Sequence, residues 1–227
     1  MRVTVLELAA VWDARDAVLA HVARLIGDGP ATDLVLLPEQ ALTGYVSPAR
    51  DFDLTRFAEA LDGPTSSAIA AVAAATHTHL VAPLVLREGD AIYNAMACFD
   101  PRGELVFSYR KRHPWLPEAW ATPGSAPAPI VTIAGTRVTI AICYDLHFLA
   151  AELAPEVDLL LFPSAWVERP DSRPHRLASL ARAAGITIAN ANWAPGVVRV
   201  PGQGGSCIVA PDGAIAVANA SRLDAEL

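Results

Sequence analysis

The chain has 227 residues, 53% of them hydrophobic and 18% charged, and its formal net charge is −7. The negative balance argues against nucleic acid as a partner, because the basic residues form only one short cluster, Arg110-Lys111-Arg112. No apolar stretch reaches the ~18 residues that a membrane-spanning helix needs, so no membrane partner is expected. Glu7 interrupts the N-terminal apolar run, which argues against a signal peptide. Three cysteines fit a reducing cytoplasm, and we expect one cytoplasmic domain over residues 1–227.

The first half of the chain alternates apolar, β-branched runs with alanine-rich segments, a pattern typical of alternating strands and helices. The predicted strands cover residues 2–8, 34–37, 79–86, 91–99 and 104–109. The predicted helices cover residues 12–26 and 65–76. Pro38 is expected to end the second strand because proline has no backbone N–H to donate to a sheet.

The second half repeats this alternation and adds a final hairpin. Strands are predicted at residues 130–133, 137–143, 158–162, 186–191, 206–210 and 214–218, with Pro163 ending the third of these. Helices are predicted at residues 147–153 and 174–184. Buried strands and hairpin strands occur together with helices, so the sequence predicts mixed sheets with helices packed outside them.

Three reactive side chains stand at the ends of predicted strands. Glu39 follows strand 34–37, Lys111 follows strand 104–109, and Cys143 ends strand 137–143. Strand ends line the ligand crevice in open α/β architectures, so these side chains could converge. A cysteine, mostly protonated at neutral pH with a pKa of about 8.5, then has a carboxylate base and a cation for the oxyanion. Taken singly, each has an ordinary explanation as a solvated charge or a small buried thiol.

Three ordered blocks resemble the nitrilase superfamily, the carbon–nitrogen hydrolases. The first is Leu37-Pro38-Glu39 followed by Leu42-Thr43-Gly44-Tyr45, and the others are Tyr109-Arg110-Lys111-Arg112-His113 and Ile142-Cys143-Tyr144-Asp145. Shorter similar segments such as Pro211-Asp212-Gly213 extend the resemblance from residue 1 to about residue 220. Three blocks in the family order are a more specific signal than any one of them.

The resemblance implies roles for five residues. Glu39 would be the general base, Lys111 the cation near the oxyanion, and Cys143 the nucleophile. Glu118 matches a second glutamate of the family, which would position substrate or the lysine, and the backbone N–H of Tyr144 would also hold the oxyanion. The implied fold is a four-layer α-β-β-α sandwich with two mixed sheets packed face to face. Neither a metal nor an organic cofactor is implied, and a homo-oligomer is expected, with a dimer favoured.

The residues after the cysteine favour a linear, non-peptide amide as the small-molecule substrate. Tyr144-Asp145 is similar to the sequence in amide-cleaving members, which form a carboxylic acid and ammonia or an amine through a cysteine thioester. His147 stands where the branch that cleaves ω-amides of keto or dicarboxylic acids has arginine, which weakens the case for a carboxylate-bearing substrate. The candidate pocket residues are Tyr45, His147, Trp166 and Trp193. A second departure, Gly185-Ile186, leaves Arg182, expected to be buried, without the family's acidic acceptor.

Other functions remain open from the sequence. The same machinery could act on an N-carbamoyl compound or a nitrile. The fold could instead be a non-catalytic interaction module in which Cys143 is a redox-reactive thiol. His77 and His79 could bind a metal, but no third ligand has matching spacing. The glycine-rich segment 202–205 lacks the lysine of a phosphate-binding loop and is interpreted as a turn.

Overall fold

The computed structural model describes residues 1–154, 156–169, 171–218 and 220–227, which form strands β1–β12 and helices α1–α4. The strands are β1 Arg2–Leu6, β2 Leu34–Leu36, β3 His79–Glu88, β4 Ala91–Phe99, β5 Leu105–Arg110, β6 Val131–Ile133, β7 Thr136–Ile140, β8 Leu159–Ser164, β9 Thr187–Asn192, β10 Cys207–Val209, β11 Ile215–Val217 and β12 Arg222–Glu226. The helices are α1 Arg15–Gly27, α2 Pro64–Thr76, α3 Leu149–Glu152 and α4 Arg173–Ala184. None of the helices in these residues is both long enough and apolar enough to cross a membrane.

The strands form two six-stranded mixed sheets. The first has the order β12-β1-β2-β3-β4-β5 and the second the order β11-β10-β9-β8-β7-β6. Parallel pairing joins β1 to β2 and β2 to β3 in the first sheet, and β7 to β8 and β8 to β9 in the second. The other pairs are antiparallel, and all of them except β1 with β12 join strands that are consecutive in the sequence. The predicted mixed sheets are therefore confirmed.

The alternation of side chains along the strands builds the layers. Val3 and Val5 of β1 share a core with Ile188 of β9, so the two sheets pack face to face. Leu6 points to the opposite face and packs with helix residues such as Val18 of α1. On the far side, α4 packs against β9 and β10. The order helix, sheet, sheet, helix confirms the predicted four-layer sandwich.

Strand β12 is absent from the sequence prediction. It pairs antiparallel with β1, from Leu6 opposite Arg222 to Arg2 opposite Glu226. Thr4 donates its hydroxyl hydrogen to Asp224 Oδ1 over 2.6 Å across this pair. Edge strands of sheets are often rich in charge, which blocks further pairing, so β12 lacks the apolar run by which the other strands are recognised.

Two predicted boundaries near the site are wrong. Pro163 lies inside β8 and does not end it, because the pairing with β7 extends only to Leu161 and the proline lies beyond that partner. The predicted helix 147–153 is shorter: the chain leaves β7, turns as a 3₁₀ helix over Cys143–His147, and then forms α3. The nucleophile candidate therefore starts this turn, beyond the last residue of the strand.

The buried arginine of α4 is Arg173, and the expectation that Arg182 is buried is wrong. Arg182 is exposed to solvent. Arg173 is fully buried, and its Nη2 donates to Asp171 Oδ2 at 2.9 Å and to the backbone oxygens of Gly204 and Gly205 at 3.0 and 3.1 Å. These bonds tie the start of α4 to the loop before β10.

Candidate active site

The reactive side chains predicted from strand ends come from both sheets. Glu39 follows β2 after Pro38, and Lys111 follows β5 directly, so both belong to the first sheet. Cys143 follows β7 of the second sheet, and Glu118 lies in the segment between β5 and β6. The site thus forms where the carboxyl ends of strands from the two packed sheets meet.

Lys111 lies between two carboxylates in the interior. Its Nζ donates to Glu39 Oε1 at 2.7 Å and to Glu118 Oε2 and Oε1 at 2.8 and 3.1 Å. The side chains of Lys111 and Glu39 are 0% exposed and that of Glu118 is 1% exposed. Buried charges persist only when they are paired and hydrogen-bonded, so these contacts fix the positions of all three groups.

Asn94 of β4 bridges the two carboxylates and has no role in the sequence prediction. Its Nδ2 donates to Glu39 Oε1 at 2.7 Å and to Glu118 Oε1 at 2.9 Å. Gln40 orients it by donating to Asn94 Oδ1 at 2.8 Å, and the Tyr45 hydroxyl donates to Glu118 Oε1 at 2.9 Å. An asparagine within an otherwise apolar strand is the sequence signal that could have identified this position, since buried polar groups need partners.

Burial and the neighbouring charges shift the pKa values of this cluster. Burial raises the pKa of Glu39, and Glu118 adds to the rise while Lys111 opposes it. Burial alone would lower the pKa of Lys111, but the two carboxylates outweigh it and hold that pKa above its ordinary value. The lysine therefore stays a cation, and the glutamate is a stronger base than a solvated carboxylate.

The thiol of Cys143 has a pKa well above its ordinary value. Burial is the main cause and Glu39 adds to it, while Lys111 and the backbone N–H of Ala165 oppose the rise. The resting group is therefore a thiol, which needs a base to take its proton during attack. A redox-sensing cysteine is favoured by the opposite arrangement, an accessible thiolate with a lowered pKa.

The turn that presents Cys143 is held in an unusual backbone conformation. Cys143 has a φ of 45°, in the left-handed region that few residues with side chains adopt. Asp145 stabilises the turn: its Oδ2 accepts hydrogen bonds from the Ile142 N–H and the Tyr109 hydroxyl, both at 2.9 Å. Its Oδ1 accepts from the His113 N–H at 2.9 Å. One carboxylate thus connects the cysteine turn to Tyr109 and His113, which lie on either side of Lys111 in the sequence.

Ala165, immediately after β8, links the base to the thiol. Its backbone N–H donates to Glu39 Oε2 at 3.0 Å, and the same group is close enough to Cys143 to lower the pKa of the thiol. Glu39 therefore has one oxygen on the lysine and the other beside the amide that borders the thiol. This places the carboxylate next to the proton that it would have to remove.

A cavity of about 340 Å³ opens over the cysteine. Its lining consists of Tyr45, Trp115, Cys143, Tyr144, His147, Ala165, Trp166, Val167 and Glu168. Besides Cys143, four residues singled out from the sequence therefore border it: Tyr45, Tyr144, His147 and Trp166. Trp193 is placed differently, because it packs against Tyr45 at 5.5 Å between ring centroids and donates its indole hydrogen to the Trp166 backbone oxygen over 3.3 Å. It supports the wall from behind.

The histidines weighed as metal ligands serve other purposes. His77 ends α2 in a left-handed conformation, and His79 Nδ1 lies 3.0 Å from the backbone oxygen of Asp33. Within the described ranges, no three His, Cys, Asp or Glu side chains are grouped so as to hold a metal ion. The observed groups instead supply a thiol, a base and a cation.

A family model matches almost the full length of the sequence. The family is described as carbon–nitrogen hydrolase, and the match covers residues 2–225. The matched region includes each of the candidate site residues described above.

Two curated relatives match part of the chain. A protein of Pseudomonas protegens named "Hydrolase in pqqF 5'region" is 35% identical over 139 residues, which are 59% of this chain and 48% of the relative. A formamidase of Bacillus cereus strain Q1 is 28% identical over 123 residues, 52% of this chain and 36% of the relative. The matches therefore span half or less of these relatives.

Solved structures match the whole fold. An amidase from Nesterenkonia sp. superimposes with a TM-score of 0.83 over 100% of this chain and 90% of its own, at 25% identity. A mutant of the amidase from Nesterenkonia sp. AN1, with acrylamide added to its active-site cysteine, gives a TM-score of 0.83 at 25% identity, over 100% and 93% of the two chains. A CN-hydrolase superfamily protein from Xanthomonas campestris, at 22% identity, has the same fold, with a TM-score of 0.82 over 99% and 89%.

Proposed function

Because the chain belongs to the carbon–nitrogen hydrolase family, we propose that it hydrolyses a linear, non-peptide amide to a carboxylic acid and ammonia or an amine. The observation that supports this most is the buried Lys111, held between Glu39 and Glu118 beside the thiol of Cys143. Such an arrangement supplies a nucleophile, a base and a fixed positive charge. The amidase and formamidase relatives support the amide as the bond cleaved.

The first half of the proposed reaction forms a thioester. Glu39 takes the proton from Cys143 Sγ as the sulfur attacks the amide carbon, and the carbonyl oxygen becomes an oxyanion. Lys111 and the backbone N–H of Tyr144 stabilise that charge. Glu39 then gives the proton to the leaving nitrogen, the C–N bond breaks, and ammonia or an amine departs.

The second half releases the acid. Glu39 takes a proton from a water molecule, whose oxygen attacks the thioester carbon, and the same cation stabilises the second oxyanion. The C–S bond breaks, and the sulfur receives the proton from Glu39. Glu118 touches no reacting atom in this scheme. It positions Lys111, to which it is bound through both carboxylate oxygens.

A substrate panel with trapping of the intermediate tests this function. We expect ammonia release from small primary amides, with slower or no turnover of N-carbamoyl compounds and nitriles of the same chain length. Rapid acid quenching during turnover is expected to add the mass of the acyl group to the peptide that contains Cys143. Faster turnover of nitriles or N-carbamoyl compounds would contradict the amide assignment. An acyl group absent from that peptide, during rapid turnover and under conditions that preserve thioesters, would contradict the covalent mechanism.

The activity is expected to fall in acid at a pH above the ordinary pKa of a glutamate. Glu39 acts as a base only when ionised, and its pKa is raised from the ordinary value of 4.5 by burial and by Glu118. Therefore kcat/KM should rise with pH and reach half its plateau above pH 4.5. The Glu39→Gln variant should lose this rise together with about 10²–10⁴-fold of the rate. A Glu39→Gln enzyme with the wild-type rate and pH profile would contradict the role of the base.

A further inference from the structure

The cavity over Cys143 is lined by no lysine or arginine side chain among the described residues. Most of its lining is aromatic or aliphatic. Glu168 is the one carboxylate among the described lining residues, and the other lining groups that can ionise are Cys143, Tyr45, Tyr144 and His147. Lys111 is buried behind this lining and is already bound to Glu39 and Glu118. A carboxylate on the substrate would therefore enter a largely apolar space without a counter-charge, which is costly.

His147 does not supply the missing positive charge. Its ring Nδ1 lies 3.0 Å from Arg176 Nη1, and because a guanidinium only donates, Nδ1 accepts and the ring proton resides on Nε2. Burial and the Arg176 charge lower the pKa of His147 below its ordinary value of 6.5, and they outweigh the opposing effect of Glu168. At neutral pH the imidazole is thus a neutral part of the wall, stacked on Trp166 with 6.1 Å between ring centroids.

Arg176 is engaged outside the cavity. Besides its contact with His147, its Nε donates to Ser172 Oγ at 3.0 Å, and it borders a separate surface hollow together with Leu146 and His175. Arg176 is absent from the lining of the cavity, and its contacts with the wall run through His147 and through Ser172.

Glu168 is an oriented, ionised carboxylate on the cavity wall. Ser172 donates its hydroxyl hydrogen to Glu168 Oε2, and this bond is the main reason why the pKa of Glu168 is lowered. The charge of Arg176 lowers it further, while burial opposes the shift. The carboxylate is therefore ionised throughout the neutral range, and its neighbours restrain it beside the cavity.

We propose that Glu168 selects the substrate: the site prefers amides whose far end is a cation, such as an ammonium group, over neutral amides, and excludes amides that end in a carboxylate. This inference rests on the proposed amide hydrolysis and adds the charge class of its substrate. An ammonium group would face the Glu168 carboxylate, whereas a carboxylate would be repelled by it and would find no partner on the aromatic wall. The cavity of about 340 Å³ lies near the lower limit of ligand pockets, which restricts the chain to a few carbon atoms.

Three primary amides of similar size test the selection: β-alaninamide as the cation, butyramide as the neutral compound and succinamate as the anion. We expect kcat/KM to decrease in that order at neutral pH, with about tenfold between the cation and the neutral compound. Glu168→Gln, which keeps the shape but removes the charge, should bring those two within about twofold. Glu168→Lys should reverse the order. The preference should weaken as salt is added, because the carboxylate is at the surface.

Glu104→Gln is the matched control, since Glu104 is an exposed carboxylate at the turn between β4 and β5 that pairs with Arg102 and leaves the cavity charge unchanged. It should keep the wild-type order of the three amides. A wild-type preference for succinamate, or an order that Glu168→Gln and Glu168→Lys leave unchanged, would overturn the selection by Glu168 while leaving amide hydrolysis intact. If none of the amides is turned over, the proposed function fails, and calorimetric binding of the same three compounds to the Cys143→Ala protein still tests the selection. Equal or reversed affinities there would overturn it.

Discussion

The Cys143→Ala variant is expected to fold normally and to lose amide hydrolysis by about 10⁴-fold or more, because acyl transfer then has no nucleophile. Cys143 is only 7% exposed and forms no disulfide bond. Its removal should therefore leave the contacts of Lys111 with the two glutamates in place. We therefore expect an inactive protein whose free energy of unfolding is within about 1 kcal/mol of that of the parent.

Ammonia release and denaturant unfolding, measured side by side, test this expectation. Cys98→Ala is the matched control, since Cys98 is a fully buried thiol in β4 that belongs to the core between the sheets. That variant should lose some stability and keep its activity. Activity retained in Cys143→Ala would contradict the role of this thiol as the nucleophile. An equal loss in Cys98→Ala would show that the loss of activity is not specific to Cys143.

Replacing Lys111 with methionine is expected to affect both stability and activity. Two carboxylates that are 0% and 1% exposed would lose the cation that now lies 2.7 and 2.8 Å from them. Breaking a buried ion pair on one side typically costs about 3–5 kcal/mol, because the remaining charge has no partner. Hydrolysis should fall by at least about 10³-fold, since the oxyanion loses its cation.

A variant that also removes the two carboxylates should regain stability but not activity. In a triple variant that adds Glu39→Gln and Glu118→Gln to Lys111→Met, the uncompensated charges are gone, and most of the lost unfolding free energy should return. The control Arg87→Met removes an exposed cation from β3 and should change neither property. A Lys111→Met protein within about 1 kcal/mol of the parent in denaturant unfolding would contradict the ionic core described here.

The reactive groups could be predicted because each follows a predicted strand and lies in a block that resembles the family. Glu39, Lys111 and Cys143 stand just past β2, β5 and β7, and the packing of two sheets brings these strand ends together. The groups that hold them were not predictable in the same way. Asn94 and Asp145 act on residues distant in sequence, and only the order of strands within each sheet decides that they meet.

Two of the predictions that were wrong, the end of β8 and the burial of Arg182, depend on contacts with distant parts of the chain. Pro163 can lie within β8 because the pairing with β7 stops at Leu161, so no partner on that side needs the missing N–H of the proline. The sequence around Pro163 does not show where β7 ends. Arg182 and Arg173 occupy the same helix, and which of them is buried depends on the loop around Gly204. The amphipathic pattern of a helix predicts that it forms, but not which of its long charged side chains is enclosed.

The pairing of β1 with β12 has a consequence for folding during synthesis. Thr4 and Asp224 are hydrogen-bonded across that pair although they are 220 residues apart. On the ribosome, one edge of β1 can find β2 early, but its other edge stays open until residues 222–226 have emerged. An edge that stays unpaired during synthesis of the intervening residues can pair with other nascent chains. Closure of the first sheet therefore waits until β12 has been synthesised.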